Sequence, residues 1–264
     1  MIYRTIIMKT EGSMPYARLT TYFHERSGEM FNNPRKTVLI CPGGAYAFTS
    51  EREGEPVAME FYNHGFNAAV LWYSVSPATY PTALKEAGQA MQYLYNQASK
   101  VGSIDRDKLI IMGFSAGGHL AASYASVWKE MGFVKPAALA LCYPVITSGE
   151  FAHRESFDHL LGEADAENKQ KLEEVSMEKH VGEDNPPTFI WTTYEDDAVP
   201  VENSLLYLNA LRRNKIQTEF HMFAKGQHGL SLADQRTQHP EEPGSVQAEC
   251  TPWIDLLLTW MDGI

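Results

Sequence analysis

Cysteine is scarce: Cys41, Cys142 and Cys250 are the only three in 264 residues. They lie far apart, form no C-x-x-C pair and keep no metal-ligand spacing, which removes a redox pair and a thiolate metal site from consideration. Cys41 and Cys142 end apolar runs and are expected to pack as small hydrophobes. Positive charge is short as well. Lys and Arg number 22 against 33 Asp and Glu, a net charge of −11. No basic run occurs, which argues against binding to a nucleic-acid backbone or an anionic membrane. No apolar run approaches the ~20 residues of a membrane span. The stretch Met1 to Lys9 has neither an adequate apolar signal core nor a cleavage site. A cytoplasmic location fits these absences and the sparse cysteine. Repeats and low-complexity tracts are missing too.

What is present is enough apolar residue, 44% of the chain, for one large core, so residues 1–264 are expected to form a single domain. Residues 3–8 and 17–23 read as two strands of an antiparallel edge, separated by the turn-rich Glu11-Gly12-Ser13-Met14-Pro15. Residues 37–41, 67–73, 109–112, 137–143, 188–193 and 218–223 read as further strands, several of them continuous apolar runs suited to burial on both faces. Helical spacing separates them. It is carried by Val57, Ala58, Phe61 and Tyr62, by Leu84, Ala87, Met91, Leu94 and Ala98, and by Val201, Leu205, Leu208 and Leu211. Ser50 and Glu53 have capping-box spacing before the first of these helices. Trp253, Ile254, Leu257 and Met261 give a closing amphipathic helix. Between 147 and 187 the pattern breaks into a polar, acidic stretch with one helix expected around 165–174, too long for an ordinary connection. It reads as a cap-like insertion over one end of the sheet. Strands alternating with crossover helices mean an α/β fold, with a mostly parallel twisted sheet covered on both faces. Loops beyond the C-terminal strand ends of such a sheet hold the active site.

The loop after the strand at 109–112 reads Gly113-Phe114-Ser115-Ala116-Gly117-Gly118, a G-x-S-x-G turn between strand and helix. A serine that attacks must stand clear of the backbone in a tight turn, and the flanking glycines avoid collision with strand and helix. An ordinary glycine-rich turn is the alternative for this motif alone. A serine hydroxyl needs a base, and the base an orienting acid. The loop after the last strand offers His228 between Gly226-Gln227 and Gly229, and the loop before it offers Glu195-Asp196-Asp197. Serine, acid, histidine is a known chain order for hydrolases of this strand–helix pattern. Spacing alone does not choose among the three carboxylates. The oxyanion formed in acyl transfer needs preorganised N–H donors. Ala116, just after the nucleophile, is one; the loop Gly43-Gly44-Ala45 supplies the others, Gly44 and Ala45.

Gly113 to Leu120 resembles the nucleophile elbow of α/β-hydrolase esterases related to acetylxylan esterases and the hormone-sensitive-lipase group. Pro42-Gly43-Gly44-Ala45-Tyr46 is similar to their oxyanion loop, residues 191–204 to their acid loop, and Lys225-Gly226-Gln227-His228-Gly229 to their histidine loop. The resemblance runs from about Thr37 to Asp262. It implies an α/β-hydrolase fold and the triad Ser115, Asp196 and His228, with Asp196 selected by counting back from Val199-Pro200. Two residues depart from the pattern: Ala45 stands where a third glycine is usual, and Thr192 where histidine is common.

The resulting expectation is a serine carboxylesterase for short acyl esters, acetyl esters above all and possibly on carbohydrates, with a small-molecule ester as its partner and no cofactor. Tyr46 and Tyr143, with Tyr73 and Trp191, lie near strand ends and are candidates for a sugar-binding floor; plain core packing is the alternative. His119 follows the elbow inside the helix and is expected to be structural, packing or bonding beneath the loop. His153, His159 and His180 lack ligand spacing, so no metal is expected. The resemblance allows a homodimer, while no long exposed apolar stripe demands one. An amide-cleaving enzyme with the same triad, an arylformamidase or small peptidase, is the close alternative. A non-catalytic binding module is the distant one.

Overall fold

The computed structural model describes residues 1–29 and 33–264. Among these residues, eight strands form one sheet: β1 (Ile2–Ile7), β2 (Arg18–Phe23), β3 (Arg35–Cys41), β4 (Asn67–Trp72), β5 (Ile104–Phe114), β6 (Ala138–Cys142), β7 (Thr188–Thr193) and β8 (Thr218–Phe223). Their spatial order is β1-β2-β4-β3-β5-β6-β7-β8. β1 and β2 run antiparallel to each other, β2 runs antiparallel to β4, and every other pair is parallel. The apolar runs of the sequence occupy the middle of this sheet. Val38 to Cys41, Leu109 to Met112 and Ala138 to Cys142 are all buried, as strands covered on both faces must be.

Among the described residues, seven α-helices cover the sheet: α1 (Glu55–Asn63), α2 (Thr82–Val101), α3 (Ser115–Val127), α4 (Arg154–Leu161), α5 (Lys169–Glu174), α6 (Glu202–Arg213) and α7 (Trp253–Met261). Two apolar clusters lie on opposite faces. One gathers Leu84, Ala87 and Met91 of α2 with Leu120 and Tyr124 of α3, Phe157 of α4 and Tyr207 of α6. The other gathers Val57 and Phe61 of α1 with Trp253 and Leu257 of α7. The alternation along each strand separates them: Leu39 faces the first cluster, and Val38 and Ile40 the second. Among the described residues, no helix is long and apolar enough to cross a membrane.

Two local expectations change. Ser50 makes no side-chain cap bond. Residues Glu51–Glu53 form a short 3-10 turn, and α1 begins only at Glu55. The Glu53 carboxylate turns inward instead of back along the chain. The segment 147–187 also holds more structure than the one helix expected there. α4 precedes α5 and buries Phe157, Leu160 and Leu161. α5 is capped by Asn168, whose side chain accepts the N–H groups of Gln170 and Lys171.

Candidate active site

The loops leaving β3, β5, β7 and β8 meet at the C-terminal end of the sheet. Ser115 opens α3 directly after β5, with a left-handed φ of 51°, the strained conformation of a residue held out from a tight turn. The geometry shows why glycine flanks it. A Cβ on Gly113 would stand 2.0 Å from the Gly117 carbonyl oxygen, and one on Gly117 would stand 2.1 Å from that of Cys41. β3, β5 and α3 therefore come together only because both positions are bare.

His228 sits in the loop after β8 and bonds in both directions. Its Nε2 lies 2.7 Å from Ser115 Oγ, and its Nδ1 lies 2.7 Å from Asp196 Oδ2. A carboxylate accepts, so Nδ1 carries the proton and Nε2 is free to accept from the serine hydroxyl. Asp196 is held in turn: Val199 donates its backbone N–H to Oδ1 at 2.8 Å. The three adjacent acids are now distinct. The Asp196 side chain is 0% exposed, while Glu195 and Asp197 are exposed and Glu195 accepts the Gly226 N–H.

Gly44 and Ala45 line the cleft above Ser115, and neither donates its N–H to another described group. Ala116, fully buried, begins the first turn of α3, where N–H groups have no intrahelical acceptor. Ala45 and Tyr46 both adopt left-handed backbone, with φ 52° and 56°. That conformation is unfavourable for side chains with a Cβ. The loop is tied from three sides. Tyr73 donates its hydroxyl hydrogen to the Pro42 carbonyl at 2.7 Å, Gly43 donates its N–H to Glu53 Oε2 at 2.7 Å, and the His159 Nδ1 of α4 lies 3.0 Å from the Ala45 carbonyl.

The placement of Tyr46 and Tyr143 corrects their expected role as substrate-binding residues. Both rings are buried, as are Tyr73 and Trp191, and none of the four lines the cleft. Tyr46 turns beneath the loop and donates its hydroxyl to His119 Nδ1 at 2.8 Å, while His119 Nε2 donates to the Val175 carbonyl at 2.7 Å. Burial pushes this imidazole down to about 4, so it is neutral, with its single hydrogen on Nε2. Tyr143 packs edge-on against His228 and sends its hydroxyl hydrogen to Glu53 Oε1 at 2.7 Å. The hydroxyls of Tyr46, Tyr73 and Tyr143 all find partners inside the protein, so the rings can be core.

The cleft has a volume of about 1090 Å³, and most of the side chains that line it are polar. Its walls include Ser50, Arg52, Glu53, His153, Glu155, Gln227 and His239, with Ala45, Phe48 and Ala198 as its apolar side chains. His153 and Glu155 come from the 147–187 segment, which thus forms one wall. Burial, and then the charge of His228, lower the pKa of His153; its Nδ1 lies 2.9 Å from Ser156 Oγ. His159 bonds to Ala45, and His180 bonds to the Glu173 carbonyl. Among the described residues, no group of three or more His, Cys, Asp or Glu is placed to hold a metal. Glu53 is the functional-site residue that sequence reasoning assigned elsewhere. Its capping-box spacing concealed a buried carboxylate.

Comparison with known proteins gives a consistent result. Residues 27–211 match the family profile described as BD-FAE. Endo-1,4-beta-xylanase B of Butyrivibrio fibrisolvens is 40% identical over 213 residues, covering 76% of this chain and 33% of that protein. Acetylxylan esterase of Xylanibacter ruminicola is 26% identical over 205 residues, covering 76% of this chain and 42% of that protein. The chain therefore matches less than half the length of either. Among solved structures, the acetyl ester-xyloside bifunctional hydrolase of Caldicellulosiruptor lactoaceticus superposes with a TM-score of 0.82 at 33% identity, covering 94% of this chain and 88% of that one.

Proposed function

The chain belongs to the BD-FAE family of α/β-hydrolases, and from that membership and the cleft chemistry we propose that it is a serine carboxylesterase for acetyl esters carried by carbohydrates. The observation that carries the reading is the bonded row from Ser115 Oγ through His228 to Asp196, 2.7 Å at each step. In the proposed reaction, Ser115 Oγ attacks the ester carbonyl as His228 Nε2 takes its proton. Asp196 holds the ring and stabilises its cationic form. The N–H groups of Gly44, Ala45 and Ala116 receive the oxyanion. The C–O bond then breaks, and His228 returns the proton to the leaving alcohol. Water, deprotonated by the same imidazole, cleaves the acyl-enzyme and releases acetate and Ser115.

The lining of the cleft supports the substrate class. A long acyl chain gains about 0.8 kcal/mol for each buried methylene only where apolar walls receive it, and the apolar side chains of this cleft are Ala45, Phe48 and Ala198. A polyhydroxylated alcohol instead finds carboxylates, imidazoles and amides within reach. Arg52 lines the same cleft, and its buried Nη2 has no hydrogen-bond partner among the described residues. The names of the relatives, xylanase and acetylxylan esterase, agree with a carbohydrate alcohol. The 147–187 segment acts in this reading as a cap that shapes the alcohol side.

Ser115→Ala is expected to lower kcat on p-nitrophenyl acetate by roughly 10⁴-fold or more and to abolish labelling by a fluorophosphonate. Full activity in that variant rejects the triad. Rates on acetate, butyrate and octanoate esters should fall in that order; an octanoate optimum rejects the short-acyl assignment.

A further inference from the structure

Glu53 is a carboxylate buried among loops that the reaction needs to keep in register. It is 3% exposed. Its Oε2 accepts the Gly43 N–H at 2.7 Å, and its Oε1 accepts the Tyr143 hydroxyl hydrogen at 2.7 Å. The Tyr143 oxygen in turn accepts the N–H of Ser231 at 2.8 Å. The chain of bonds thus begins on the loop of Gly44 and Ala45 and ends three residues beyond His228. Both ends are backbone N–H groups, so the path fixes main chain rather than a movable side chain. Packing reinforces it. A Cβ on Gly43 would meet Glu53 Oε2 at 2.8 Å and Ser115 Cβ at 2.9 Å, so the loop, the carboxylate and the nucleophile lie in direct contact. The Tyr143 ring also stands edge-on to the His228 ring, with centroids 5.1 Å apart.

We propose that Glu53 is the positioning residue of the oxyanion hole: through Gly43 and Tyr143 it sets the N–H groups of Gly44 and Ala45 against the loop that carries His228. The inference rests on the esterase reading above. A carboxylate is suited to this task because both its oxygens only accept, and both its partners only donate toward it. Burial raises its pKa, and the two hydrogen bonds oppose that rise. Both bonds donate toward its oxygens, the pattern a carboxylate accepts. A glutamine of the same shape can accept from one partner only and must turn its NH₂ group against the other donor. Substrate binding does not need the hole to be exact, because the ground-state carbonyl carries little charge. The tetrahedral oxyanion does, and a displacement of about 1 Å costs up to roughly 100-fold in rate.

The test compares Glu53→Gln and Tyr143→Phe with the unaltered chain, using p-nitrophenyl acetate turnover, affinity for a phenylboronic acid that forms a tetrahedral adduct with Ser115, and thermal melting. The expected result for Glu53→Gln is a kcat lower by about 10- to 100-fold with KM within about twofold. Boronate affinity should weaken by a similar factor while the circular dichroism spectrum stays native. Tyr143→Phe keeps the ring but cuts the path, so it should show the same pattern at smaller amplitude, and the double variant should lose less than the product of the two. A lower melting temperature with kcat unchanged in Glu53→Gln makes the residue merely structural and overturns the proposal, as does a rise in KM alone. If Glu53→Gln does not fold, Tyr143→Phe decides by the same criteria. Should Ser115→Ala be inactive while both variants keep full kcat and boronate affinity, this inference fails and the esterase reading stands. Should Ser115→Ala remain active, the esterase reading itself fails.

Discussion

Asp196 shows what a residue's neighbours on paper cannot reveal. Glu195, Asp196 and Asp197 carry the same charge within three positions, and spacing does not rank them; only the resemblance to known acid loops favours the middle one. In the structure the choice follows from burial. Asp196 points inward, satisfied by the Val199 N–H and the His228 ring, while its two neighbours face water. Asp196→Asn keeps the shape but allows an amide N–H to face Nδ1, which favours the wrong imidazole tautomer. Its kcat is expected to drop about 10³- to 10⁴-fold. Asp197→Asn removes only a solvated charge on the cleft rim and should lower kcat far less. Parallel kinetics on p-nitrophenyl acetate check the contrast, and equal losses would move the orienting role away from Asp196. Tyr46 and Tyr143 teach the complementary lesson. Their types suited a sugar floor, but a hydroxyl bonded inside the protein, to His119 in one case and Glu53 in the other, lets a tyrosine be core. Sequence does not show where a hydroxyl finds its partner.

Elements were legible where one periodicity ruled. β7 starts and stops where its apolar and β-branched run does, β8 follows the alternation of its Phe220 and Met222 with Glu219 and His221, and α2 follows its Leu84, Ala87, Met91 and Leu94 spacing. α4 was not, because four of the eight residues in Arg-Glu-Ser-Phe-Asp-His-Leu-Leu are charged or titratable and its apolar side is short. That side is buried only because α4 lies over the loop end of the sheet, which is a tertiary fact. The Ser50–Glu53 spacing misled for a related reason: a buried donor pair outcompeted the local cap for the Glu53 carboxylate. The elbow is the element most fully written in the sequence, since its glycines answer to contact distances. Gly117→Ala would force a methyl group against the Cys41 carbonyl at 2.1 Å, and backbone there cannot rotate away. Loss of at least about 3 kcal/mol of stability is expected, read as a lower urea midpoint; an unchanged midpoint would show that β3 and α3 can separate freely.

At the scale of the whole molecule, the mostly parallel sheet and its antiparallel β1–β2 edge are legible from strand types and connection lengths, but the strand order and the ties between distant segments are not. His119 is the clearest such tie. It joins α3 to the oxyanion loop through Tyr46 and to the 147–187 segment through Val175, so three parts of the chain depend on one neutral ring. Burial holds its pKa near 4, against 6.5 in an exposed imidazole. As pH falls below about 6.5, the unfolded chain takes up a proton at this residue that the folded chain refuses. Unfolding is therefore favoured progressively from about pH 6.5 down to about pH 4, where the folded ring is also protonated and the effect levels off. A difference of this size contributes about 3 kcal/mol over the window. Burial also lowers the pKa of His24 and His153, so they act in the same direction, whereas the raised pKa of Glu53 opposes them. Subtraction isolates the single ring. His119→Gln should be less stable at pH 7, yet its unfolding free energy from urea titrations should fall less steeply between pH 6.5 and 4 than that of the unaltered chain. Equal slopes would mean that the ring is already charged in the folded protein, or that water reaches it, and that the tie between the 147–187 segment and the loop of Gly44 and Ala45 does not depend on its neutrality.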